Sequence, residues 1–176
     1  MRSANTASAA LRWASTRRAV KQLQRSRVLP PRIEVRNKQR RVPIPLLRLH
    51  HFAEAACSLI WSRKKQSSQI ARLTHIDVLI VSDRRMTALH RKFCGVPGAT
   101  DVLTFQHGEI VISADTATRQ AQSLGTSVIA EIQLYVLHGL LHLAGFDDAT
   151  TSKRKVMHRA QNRLMTIISA GGHDRR

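Results

Sequence analysis

Ile76-Asp77-Val78-Leu79-Ile80-Val81 is the stretch on which the reading of the fold turns. It is apolar throughout except for Asp77, and a short run without polar alternation is the mark of a strand buried on both faces. Upstream of it, Ile33-Glu34-Val35 reads as a short first strand. Pro43 and Pro45 then break the chain, and Leu46 to Ser62 places Leu49, Phe52, Ala53, Ala56 and Ile60 at helical spacing. Downstream, Asp83 is positioned to cap a helix that runs to about Phe93 and ends at Gly95. Beyond the loop Val96 to Ala99, Asp101 to Phe105 and Glu109 to Ser113 read as two strands joined through Gln106-His107-Gly108. Helices are expected over Ala114 to Leu124 and Ser127 to Leu143, with Gly125 between them. A last amphipathic helix covers Ser152 to Ala170, and Gly171-Gly172 ends it. The sum is an α+β fold: one domain, with a small mixed β-sheet and several helices packed around it.

The chain has 176 residues, 43% of them hydrophobic, which is enough for one core. It carries 29 Lys and Arg against 11 Asp and Glu, a formal net charge of +18. Residues 1–41 hold 12 of the basic side chains and a single acid, Glu34. The rest of the chain is still moderately basic. A polyanion such as nucleic acid accounts for this balance, because each neutralised phosphate releases counterions. A merely soluble basic surface accounts for it too, and charge alone does not separate the two.

No stretch approaches the ~20 apolar residues of a spanning helix, so no membrane partner is expected. Two cysteines, Cys57 and Cys94, make no disulfide framework, and a reducing, cytoplasmic setting is expected. Residues 1–29 are rich in Arg, Ser and Ala and lack acids. They read as an organellar transit peptide, a basic disordered arm, or the product of a start codon placed too far upstream. The expected organisation is thus a basic, disordered extension over 1–30, a domain over 31–170 and a short tail over 171–176.

The chemistry is concentrated in Tyr135 to Asp148, YVLHGLLHLAGFDD. His138 and His142 are four residues apart on a predicted helix, so both imidazoles project from one face, the spacing that grips one metal ion. Gly145 allows a sharp turn that returns Asp147 and Asp148 towards them. Two histidines and a carboxylate make three protein ligands, the set with which a catalytic zinc keeps a fourth position for water. Gly139 follows His138 where a zincin peptidase would carry its glutamate base, which argues against peptidase chemistry.

The segment HGLLHLAGFDD resembles the H-G-x-L-H-L-x-G-Y-D-H signature of the YbeY family of single-metal endoribonucleases. Thr100 to Phe105 (TDVLTF) resembles the family's T-D-V-L-S-F, Gly108 to Ser113 (GEIVIS) its G-D-I-V-I-S, and Leu89 to Gly95 (LHRKFCG) its L-N-x-x-Y-R-G. The pieces stand in the family's order and span roughly residues 33 to 170. The resemblance implies a Zn²⁺-dependent endoribonuclease holding one ion on His138, His142 and Asp148 and maturing ribosomal RNA, chiefly of the small ribosomal subunit. It also places Thr100, Asp101, Arg91 and Lys92 towards the substrate.

Three positions depart from the pattern. Asp148 stands where the family has a third histidine, and a carboxylate there should make the ion a weaker Lewis acid. Cys94 stands at the family's arginine and cannot clamp phosphate, so that role is lost or passes to Arg91 or Lys92. The segment between Phe105 and Gly108 is short. A decayed, non-catalytic RNA- or ribosome-binding member, or a metallohydrolase on another substrate, are the alternative readings.

Other residues have plainer alternatives. Glu131 lies on the face of His138 and His142, as a carboxylate orienting a ligand or as one bonded to backbone. His107 is expected as an exposed turn residue and Cys57 as core. Lys153, Arg154 and Lys155, with Arg159 and Arg163, read as a solvated helix face. Aromatic residues make up only 4% of the chain, so base stacking is not the expected mode of RNA binding.

Overall fold

The computed structural model describes residues 29–64 and 67–171. The expectations for residues 1–28 and for the tail beyond 171 lie outside the described residues. The elements follow the chain as β1 (Arg32–Asn37), α1 (Leu46–Arg63), a 3₁₀ turn (Gln69–Arg72), β2 (His75–Val81), α2 (Asp83–Cys94), β3 (Val102–Phe105), β4 (Glu109–Ser113), α3 (Ala114–Leu124), α4 (Val128–Leu143) and α5 (Thr151–Gly171). The four strands form one mixed sheet in the order β1-β2-β4-β3. β1, β2 and β4 run parallel, and β3 pairs antiparallel with β4 as an edge strand.

The strand expected to be buried on both faces is β2, but, because the second face is thinly covered, burial alternates along it: Ile76, Val78 and Ile80 are buried, Asp77 and Leu79 only in part. Its register aligns Val35 with Val78, Val78 with Ile110 and Ile80 with Ile112, so β-branched side chains form a continuous apolar layer on one face. Ile76, Val78, Ile80, Ile110 and Ile112 are wholly buried there and belong to the same core as residues of α1 and α4. α1 presents Leu49, Phe52, Ala53, Ala56, Cys57, Ile60 and Trp61 to that core, the i, i+3, i+4 stripe of an amphipathic helix. α4 is buried almost all round, from Ile132 to Leu143, because the sheet, α1, α3 and α5 surround it. A helix so enclosed must be apolar on every side, and Tyr135 to Leu143 is nearly so.

The opposite face is thinner. Val81 and Val111 pack with Met86 of α2, with Leu79, Leu89, Leu103 and Phe105 at the margin.

Two capping details differ from the sequence reading. Ser82, not Asp83, is the N-cap of α2, its hydroxyl accepting from Arg85 N. Asp83 is instead engaged across the structure: it accepts from Ser113 Oγ, from Thr116 Oγ1 at 2.9 Å and from Arg119 Nη1 at 2.7 Å. Desolvation raises the Asp83 pKa, but these bonds and the Arg119 charge outweigh it and hold the carboxyl below its usual value. Likewise β3 begins at Val102, one residue later than the sequence suggests; Asp101 still accepts from Ser113 N at 2.9 Å through its carbonyl, while its Oδ1 accepts from Val102 N at 2.8 Å.

Candidate metal centre

α4 ends in a motif that sets the geometry of the site. Gly145 adopts φ +91°, its N–H donates to His142 O at 2.9 Å, and Phe146 N–H donates to Leu141 O at 3.0 Å. This is the paired bonding of a Schellman motif, which stops a helix by reversing the chain. The reversal carries Asp148 back to the two histidines, as the sequence reading anticipates.

His138 Nε2 and His142 Nε2 lie 3.0 Å apart, and Asp148 Oδ2 and Oδ1 lie 3.7 and 3.9 Å from them. Around a tetrahedral zinc with Zn–N of about 2.0–2.1 Å, ligand atoms are separated by about 3.3 Å. The three groups therefore stand at the spacing of ligands around one ion.

The hydrogen bonds at the far side of each ring strengthen this fit. His142 Nδ1 meets the carbonyl oxygen of Phe146 at 3.2 Å, and His138 Nδ1 meets Gln161 Oε1 at 3.3 Å. Both partners can accept, which suits a proton on Nδ1, the tautomer that leaves Nε2 with a lone pair for a cation. Two lone pairs and a carboxylate facing one point leave it electron-rich on every side, and a cation satisfies all three at once. Burial first, and the neighbouring His142 next, lower the His138 pKa against the opposing pull of Gln161, Asp148 and Asp101. That keeps the ring neutral, the form that binds metal.

The trio opens on a cavity of about 680 Å³ lined by the edge strand β3 and the residues on either side of it, Thr100, Asp101, Val102, Leu103, Thr104 and Gln106, together with Gln69. Thr100 Oγ1 donates to Asp101 Oδ1 at 2.9 Å, the same oxygen that accepts from Val102 N. The Asp101 carboxylate is thereby fixed at the wall. No Lys or Arg lines this cavity among the described residues. Thr100 and Asp101 join the metal trio, whereas Arg91 and Lys92 stand exposed in the last turn of α2, outside the lining. Cys94 is likewise exposed and lies outside the ligand group.

Gly139 explains why α4 can lie this close to the sheet. A Cβ there would fall 2.8 Å from Ile110 Cγ2 and 3.0 Å from Thr104 Oγ1. The position after His138 has no room for a methyl group, still less for the glutamate of a zincin.

Other candidates resolve as follows. Glu131 is buried and accepts from Thr126 Oγ1 at 2.7 Å. It orients neither histidine, and its partner is a side chain at the helix entry rather than backbone. Asp147 turns away to Lys153 Nζ at 2.8 Å and Ala149 N at 3.0 Å. Cys57 is core, and burial pushes its thiol up to about 11. His107 is exposed in its turn. A second trio, Glu34, His75 and Asp77, comes together at the β1–β2 edge. Arg36 already bridges its carboxylates at 2.8 and 2.5 Å and supplies the positive charge there.

Sequence reasoning missed Gln161. Its signal was present: a polar residue between Met157 and Leu164 on the buried stripe of α5, itself 5% exposed. A polar side chain on an apolar stripe calls for a buried partner, and here the partner is His138.

Residues 34–169 match the family model described as Endoribonuclease YbeY. A relative of that name from Anaeromyxobacter sp. (strain Fw109-5) is 40% identical over 99 residues, covering 51% of this chain and 52% of its own, so the chain spans about half of that protein. One from Thermus thermophilus is 36% identical over 104 residues, covering 52% of this chain and 75% of its own. One from Frankia alni is 32% identical over 127 residues, covering 58% and 70%. Among solved structures, the solution structure of a Thermotoga maritima protein superposes with a TM-score of 0.56 at 22% identity. It covers 80% of this chain and 91% of its own, a likeness of fold.

Proposed function

The chain belongs to the endoribonuclease YbeY family, and from that premise we propose that it is a single-metal, zinc-dependent endoribonuclease of ribosomal RNA processing. Its substrate on this reading is RNA of the small ribosomal subunit, in maturation and in ribosome quality control. Its setting is the cytoplasm, or an organelle if residues 1–29 are a transit peptide. The observation that carries the proposal is the convergence of His138 Nε2, His142 Nε2 and Asp148 on one point beside a cavity walled by β3. The ribosomal substrate rests on the motif resemblance.

His138, His142 and Asp148 would hold the ion. When bound, it supplies Lewis-acid polarisation of a water or of a phosphate oxygen at the scissile bond. The protein's own groups do the positioning. Gln161 and the Phe146 carbonyl fix the two ring orientations, and the Schellman turn fixes Asp148. Asp101, braced by Thr100, forms the opposite wall. With two carboxylates and no Lys or Arg among the described residues of its lining, the cavity is unfavourable for a phosphodiester until a divalent ion offsets that charge.

The second reading, a weakly active or non-catalytic RNA-binding member, is favoured by one observation. The cations nearest in sequence to the family's arginine, Arg91 and Lys92, lie outside the cavity lining. Elemental analysis and RNA cleavage on the same preparation, wild type against His142→Ala, separate these readings. Zinc near one equivalent with cleavage that disappears in the variant supports the nuclease. Zinc without cleavage supports the second reading. Absence of metal from the wild type after purification without chelator, with none regained on adding zinc, defeats the proposal.

A further inference from the structure

Aromatic side chains are few in this chain, yet three rings are gathered at the end of β3 and the turn that follows it. Phe93 of α2 and Phe105 at the end of β3 meet edge to face, their centroids 5.0 Å apart with planes at 74°. Phe105 and His107 stack, with centroids 5.6 Å apart and planes at 29°. Both are favourable ring geometries. The middle ring is anchored: Phe105 is partly buried and packs on the cluster of Val81, Met86 and Val111. The end rings are open to solvent, Phe93 being 54% exposed and the His107 side chain 69%.

Charge and position add to this. Lys92 Nζ lies 5.1 Å from the centre of the Phe93 ring, within cation–π range, and Arg91 is exposed in the same helical turn. At the other end, Glu109 Oε2 lies 3.3 Å from His107 Nε2, a carboxylate that steers phosphate away from that side. Gln106, between Phe105 and His107 in the chain, lines the metal cavity. Neighbouring Cα atoms are about 3.8 Å apart, so Phe105 at the end of β3 and His107 in the turn after it flank a residue of the cavity lining.

We propose that Phe93, Phe105 and His107, with Lys92 and Arg91 beside them, form a stacking subsite for an unpaired base of an RNA strand whose phosphate lies in the metal cavity. This rests on the reading of the cavity as an RNA-cleaving site and adds to it a place for one base. A π-face accepts any base, so the subsite is tolerant of sequence. In a duplex the faces of each base are covered by its neighbours, so the subsite selects single-stranded or splayed nucleotides. Lys92 and Arg91 supply here the positive charge that the described residues of the cavity wall lack.

The test uses the full chain and a short, ribose-methylated single-stranded RNA that resists cleavage, with fluorescent aminopurine placed at successive positions. Wild-type protein should quench the probe at one position, the signature of stacking. Phe93→Leu, which keeps apolar volume but removes the ring, and His107→Gln should each abolish the quenching and weaken binding about tenfold. A blunt RNA duplex should show no such dependence. Unchanged affinity and quenching in both variants, or equal ring dependence for the duplex, would overturn the proposal even if the protein cleaves RNA. Ring-dependent quenching by a protein whose zinc-loaded form leaves ordinary RNA intact would sustain the subsite and defeat the nuclease reading instead.

Discussion

One face of the sheet is covered by α1 and α4 across a layer of fully buried β-branched side chains. The other is covered chiefly by α2, over Val81, Met86 and Val111. The ligand pair grows out of the thick face, on a helix enclosed by the sheet and three other helices. The exposed cations and two of the three stacked rings belong to the thin side or its margin. The difference teaches how the fold divides its labour. Groups that must hold a metal to a few tenths of an ångström are placed where packing fixes their rotamers. On the proposed reading, groups that meet a flexible strand by stacking and charge need only an anchored ring and freedom at its ends.

The strongest way to break the comparison is to damage the thick face at its ligands. His142→Ala should weaken metal binding by more than about 100-fold, and Gln161→Leu, which leaves all ligands in place, by about 10- to 100-fold. Chelator competition measures both. A Gln161→Leu protein with wild-type affinity would mean that the His138 ring is held by packing alone.

The thin face should fail differently. Met86 is the one fully buried side chain of α2, and Met86→Ala should cost about 2–5 kcal/mol of stability while leaving metal stoichiometry unchanged. Denaturant unfolding and elemental analysis on the same sample test this, and a loss of metal would show the two faces to be coupled.

Gly139→Ala should lower stability by about 1–3 kcal/mol, because the added methyl meets Ile110 inside the core. The helix propensity gained, about 1 kcal/mol, offsets part of that. Metal affinity should fall as well, since α4 must shift away from β3.

The smallest effect is expected at Asp83, which ties the start of α2 to Ser113, Thr116 and Arg119. Its folded pKa lies below the unfolded one, so its contribution is complete above the ordinary aspartate value of about 3.9. It is lost as pH falls through the lower, folded value. Asp83→Asn should therefore lower the urea midpoint slightly at neutral pH, and the gap between the two proteins should close as the pH drops below about 4. A gap that persists in acid would point to packing rather than charge.

The sequence by itself determined what short-range rules govern. Apolar runs and helical spacing placed every described strand and α-helix to within a few residues, because period and turn residues act over one or two turns of chain. The same locality made the metal trio legible: His138 and His142 share a face by spacing, and Gly145 turns the chain within three residues of Asp148. Tertiary structure decided what depends on residues far apart. Gln161 reaches His138 from another helix, Asp83 finds partners some thirty residues away, and β3 becomes the cavity wall only because antiparallel pairing places it at the edge. The need for glycine at 139 comes from Ile110, and the edge-to-face pair of Phe93 and Phe105 from the packing of α2 near the end of β3. Periodicity says which face of an element is apolar; which partner that face meets is settled when the whole chain packs into one volume.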